Sequence, residues 1–119
     1  MSAMISEAEA LEKARKLHPE LARWKDSDYA RAEQKQGVNW RLHLQMDAIV
    51  LRRASDDSLP DYGVLDALQK KGRSELDAIH AIARLVAEDI WKRMKAPGQK
   101  TPEEMNNDLN RKISRLARP

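Results

Sequence analysis

The chain has 119 residues, enough for one domain with its own core and too few for two. With 41% apolar and 34% charged residues and only four Gly and five Pro, it is too apolar for disorder and suits a mostly helical protein with a solvated surface. The net charge of +3 is uneven: residues 1–91 carry 14 Lys/Arg against 16 Asp/Glu, residues 92–119 carry 8 against 3, so the basic character belongs to the tail.

The chain has no Cys, which excludes disulfides, thiolate catalysis and zinc–thiolate sites. The opening MSAMISEAEALEKARK lacks the apolar centre of a signal peptide. No run approaches the roughly 18 apolar residues of a membrane span. The expectation is a soluble, cytoplasmic protein with no membrane partner.

In chain order, Ser6 with Glu9 three residues on has capping-box spacing, and Ile5, Ala8, Leu11 and Ala14 make a modest stripe, so a helix is predicted over 6–17. Pro19 suits the first turn of a new element, with Leu21 and Trp24 as anchors. A second short helix, capped by Ser27 or Asp28, is predicted to end near Gly37.

Residues 39–53, NWRLHLQMDAIVLRR, admit two periods. Trp40 to Asp47 alternate as a half-buried strand would, yet His43 and Asp47 stand four apart, as on one helix face. Asn39 is a good N-cap, the Leu and Met side chains fit a helix at low entropic cost, and no second strand exists for pairing. A helix over 40–54 is predicted.

The stretch ASDDSLPDYG reads as a loop, followed from Pro60 or Asp61 by a helix carrying Val64, Leu65 and Leu68 that ends with Gly72 at C′. Ser74 and Asp77 cap a long helix over 74–94 with the stripe Leu76, Ile79, Ala83, Val86, Ile90 and Met94, broadened by Ala87 and Trp91. Residues 96–101 read as a linker. Thr101, Pro102 and Glu104 start a last helix striped by Met105, Leu109, Ile113 and Leu116. The three Trp residues, at 24, 40 and 91, are expected in the core.

On a helical wheel Arg41, Gln45 and Arg52 face water, which sets His43, Asp47, Trp40, Met46, Val50 and Leu51 on the buried arc. A buried carboxylate needs a partner. His80 lies at the edge of the 74–94 stripe, and Asp77, Arg84 and Glu88 form a polar seam beside it. If the two helices pack together, His43, Asp47 and His80 form a three-ligand site for a divalent metal. Alternatively, Asp47 bonds His43 or pairs with Arg84 and has no further role. Only one acid-x-x-His copy occurs, Asp77 to His80, so a ferritin-type di-iron site is excluded. No nucleophile elbow, phosphate-binding Gly loop or HExxH occurs, and no catalytic residue is assigned.

The blocks HPE (18–20), N-x-x-LHLxM (39–46) with AI (48–49), LPxxG (59–63) and LDAIHAIARLVAEDIW (76–91) resemble the uncharacterised bacterial domain-of-unknown-function family 1841, over about residues 17–94. The resemblance implies a helical fold without an assigned activity. The family pattern has a second His where this chain has Asp47, paired His where it has Leu76 and His80, and an acid where it has Arg84; the acid at Glu88 is retained. The implied histidine set therefore survives as His43 and His80, with Asp47 as a substitute ligand.

The expectation is an all-α bundle built on two long central helices, 40–54 and 74–94. Residues 1–95 form the helical domain and 102–119 an amphipathic helix that docks or is exchanged in a homodimer. Its first functional reading is a structural or protein-interaction module without catalysis or a cofactor. The alternatives are a metal-binding bundle using His43, Asp47 and His80, and nucleic-acid binding through the basic tail.

Overall fold

The computed structural model describes residues 4–21, 23–37 and 39–118, and among them every regular element is helical. The order is α1 (Glu7–Lys16), a 3₁₀ turn (Pro19–Leu21), α2 (Asp26–Gln36), α3 (Trp40–Ala54), α4 (Asp61–Lys70), α5 (Glu75–Lys95) and α6 (Pro102–Leu116). The alternation in residues 40–47 thus lies on a helix.

Each start follows local chemistry. The side chains of Ser6, Asn39, Ser74 and Thr101 accept the N–H of Glu9, Leu42, Asp77 and Glu104 respectively, each at 3.1 Å. Glu104 completes the box at α6 by accepting Thr101 N–H at 3.2 Å. The start of α2 differs from expectation: Lys25 holds the cap position, and Asp28 lies inside the helix, reaching back to accept Lys25 N–H at 2.8 Å. At the end of α4, Gly72 takes φ +103°, and the N–H groups of Gly72 and Arg73 return to the carbonyls of Gln69 and Leu68. That double closure needs a left-handed residue, which Gly supplies without strain.

Helix α3 is the hub. It packs against α1, α2, α4 and α5, whereas α6 packs against α4 and α5. The core gathers Ala10 and Ala14 of α1, Leu44, Ala48, Val50 and Leu51 of α3, Val64 and Leu68 of α4, Ile79, Ile82 and Val86 of α5, and Leu109 and Ile113 of α6. The apolar stripe of α6 is therefore covered by its own chain.

A buried ion pair fastens three of these helices. Asp61 at the start of α4 is fully buried and accepts two bonds from Arg53 of α3, at 2.9 and 3.0 Å. Arg53 also donates to Asn110 of α6 at 2.8 Å. The fork geometry of a guanidinium allows it to serve a carboxylate and an amide together.

Two apolar readings are corrected. In α1 the buried positions are Ala10 and Ala14, and Ala8 is exposed. In α5 burial ends at Val86; Ile90, Trp91 and Met94 are exposed, Trp91 by 59%. Length explains this: α5 has 21 residues against 15 in α3, and at about 1.5 Å per residue its last turns overrun the helix that covers its first half. Lys95 lies over one face of the exposed Trp91, its amine 4.3 Å from the ring centroid. Trp24 and Trp40 do pack against the core. No helix among the described residues is long and apolar enough to cross a membrane.

Candidate metal centre

His43 and Asp47 lie one turn apart on the face of α3 that meets α1 and α5. Asp47 is 1% exposed, in a position otherwise filled by Leu44, Ala48 and Leu51. His80 reaches the same point from α5, where the neighbouring Ala78 and Ile79 are buried. The structure thus brings together all three residues expected from the sequence.

It adds a fourth, His18, which sequence reasoning did not assign to the site. Pro19 cannot continue α1 and biases the preceding residue away from helical backbone, so the chain turns at His18. The turn is pinned on both sides: His18 N–H donates to Arg15 O at 3.1 Å, and His18 O accepts from Leu21 N–H at 2.9 Å. The fully buried Leu21 anchors the next turn, leaving the imidazole over α3. The available signal was numerical: the chain has three histidines, and all three converge here.

Asp47 Oδ2 lies 3.0 Å from His18 Nε2, both groups being buried. The other carboxylate oxygen, Oδ1, makes no hydrogen bond. His80 Nε2 stands 3.4 Å from it, close enough for attraction but without hydrogen-bond alignment. His43 Nε2 and His80 Nε2 face each other at 3.1 Å. One ligand atom from each of the four residues lies within 4.8 Å of all the others.

The sequence also suggested that Asp47 bonds His43 or Arg84. Its hydrogen bond goes to His18 instead, and Arg84 lies on the exposed side of α5 with Asp77 and Glu88. A single carboxylate facing three imidazoles explains the choice, because the deepest ring takes the best-aligned bond. His43 is held below the usual histidine range, chiefly by burial and further by His80 and His18, with Asp47 opposing. Its neutral, metal-accepting form is thereby favoured.

The surroundings orient the rings. Trp40 meets His18 and His43 edge-on, with centroids 5.7 and 5.4 Å away, and walls one side of the cluster. On its far side, His18 Nδ1 lies 3.5 Å from Glu20 Oε1. No hydrogen bond forms at that separation, and the aligned partner of the ring is Asp47 Oδ2.

Three imidazoles and one carboxylate are a borderline N₃O donor set, suited to Zn²⁺ and neighbouring divalent transition metals. A tetrahedral ion with bonds of about 2.0–2.1 Å has ligand–ligand edges of about 3.3–3.4 Å. Three of the six ligand–ligand contacts, at 3.0, 3.1 and 3.4 Å, fall within a few tenths of that edge, and since the four atoms spread over up to 4.8 Å, the rings must draw in to close a tetrahedral shell. Compared with family models, curated proteins and solved structures, the chain gives no match in any of the three.

Proposed function

We propose that this chain is a structural module that binds one divalent transition metal through His18, His43, Asp47 and His80. The carrying observation is the convergence of every histidine in the chain on a buried Asp whose second oxygen has no hydrogen bond. A buried carboxylate oxygen without a partner is costly, and a cation removes that cost.

Four protein ligands make a closed coordination shell, the mark of a metal that holds structure and not one that activates water. The ligands come from the turn after α1, from α3 and from α5, so the ion ties these three elements together. This agrees with the absence of any catalytic motif in the sequence. Membership of the domain-of-unknown-function family 1841 is proposed on the sequence blocks alone; His18 and His43 lie in two of them, HPE and LHL.

The test is elemental analysis of protein purified without an affinity tag, followed by calorimetric titration of the metal-free protein with Zn²⁺, Ni²⁺ and Co²⁺. One equivalent is expected, with the intense visible bands of tetrahedral Co²⁺. Less than about one-tenth equivalent, with no uptake on titration, overturns the proposal.

A further inference from the structure

A second feature lies at the other end of α5. Between its exposed last turns, the 96–100 connection and α6 is a cleft of about 290 Å³, close to the lower end of the usual range for small-molecule sites of about 300–1,000 Å³. Leu85, Ala96, Met105 and Leu109 line its apolar part. Its walls also carry five Lys/Arg and two Asp.

Both acids are engaged by other cations. Arg93 donates to Asp89 at 2.8 Å, and Lys100 donates to Asp108 at 2.8 Å, with Arg111 3.7 Å away. Lys92 of α5 and Lys112 of α6 are left lining the same cleft from its two helical walls. Lys112 is held below the usual lysine range, chiefly by the neighbouring Lys92 ammonium, with Glu88 and Asp108 opposing. Two ammonium groups on facing walls of one cleft repel each other. An anion between them converts repulsion into two charge-assisted hydrogen bonds.

We propose that this cleft binds a small amphiphilic anion, a phosphate or carboxylate bearing a short apolar body. The anion bridges Lys92 and Lys112, and the apolar body lies against Leu85, Met105 and Leu109. The site is separate from the histidine cluster, and its failure or success is independent of metal binding. It also gives the positive charge of residues 92–119 a defined target.

The probe is octyl phosphate, titrated calorimetrically into the full chain beside inorganic phosphate and the neutral octyl glucoside. Saturable one-to-one binding is expected for octyl phosphate, at least about tenfold tighter than for either control. The Lys92→Gln/Lys112→Gln double variant, which relieves a like-charge contact and leaves the core intact, should weaken it by at least about tenfold while keeping its helical circular dichroism. Competition by vesicles containing phosphatidic acid assigns the anion to a lipid headgroup; absence of competition assigns it to a free ligand. Equal binding of octyl glucoside, or undiminished binding by the double variant, overturns the proposal. So does a salt-sensitive shift with mixed-sequence DNA that requires both lysines and occurs without octyl phosphate binding.

Discussion

Asp47 on α3 and His18 beyond the end of α1 are joined by a 3.0 Å hydrogen bond between side chains that are 1% and 5% exposed. The bond is the shortest contact of the histidine cluster. His18→Ala therefore leaves both oxygens of a buried carboxylate without a hydrogen bond and should lower metal-free stability by about 1–3 kcal/mol. His80, whose side chain is 36% exposed and unaligned with Asp47, should matter less under the same conditions. Urea unfolding in the presence of a chelator makes the comparison. An equal or larger loss for His80→Ala would contradict the assignment of His18 as the principal partner.

Metal uptake should depend on pH in the imidazole range, because histidine ligates only when neutral. Burial already lowers the His43 pKa from its ordinary value, so this ring resists protonation longer than a free histidine. Zinc affinity should hold at neutral pH and fall steeply below about pH 6 as the ring nitrogens take up protons. Titrations at stepped pH read this directly. Affinity unchanged at about pH 5 would mean that the imidazoles are not the ligands.

The Arg53–Asp61 pair makes a prediction about stability alone. Replacing Arg53 by Met leaves Asp61, fully buried, with neither of its two hydrogen bonds from the guanidinium. The expected loss is about 3–5 kcal/mol, larger than for most single substitutions. The double replacement Arg53→Met/Asp61→Leu should recover much of it, because no buried charge then lacks a partner. Chemical denaturation of the three variants tests both statements.

Ile113 of α6 is fully buried against its own chain. Ile113→Ala should cost about 2–5 kcal/mol, with an unfolding midpoint independent of protein concentration. Exchange of α6 between two copies, as the sequence suggested for a homodimer, would instead make that midpoint rise with concentration. Unfolding over a wide concentration range, with sedimentation alongside, separates the two arrangements.

Much of the architecture was legible because capping chemistry is local. Asn39, Ser74 and Thr101 each announce a helix within four residues, and each caps as expected. Three of the four residues of the histidine–aspartate cluster were legible from periodicity: His43 and Asp47 are a turn apart on the buried side of one helix, and His80 lies at the edge of the α5 stripe. His18 was not, because a turn residue has no periodicity to reveal the direction of its side chain. The overrun of α5 was equally hidden. Ile90, Trp91 and Met94 continue a good apolar period, but a period reports a face and not whether another helix is long enough to cover it.

The absence of cysteine takes on a different meaning beside the histidine cluster. A chain of this size commonly relies on its core alone, and a disulfide would add a cross-link that responds to redox conditions. In the proposed metal-bound form, an ion held by His18, His43, Asp47 and His80 would cross-link segments far apart in the chain by coordination instead. Such a fastening ignores reductants and opens to acid or to a stronger chelator. The rigidity of the α1–α3–α5 junction then follows the supply of metal around the protein.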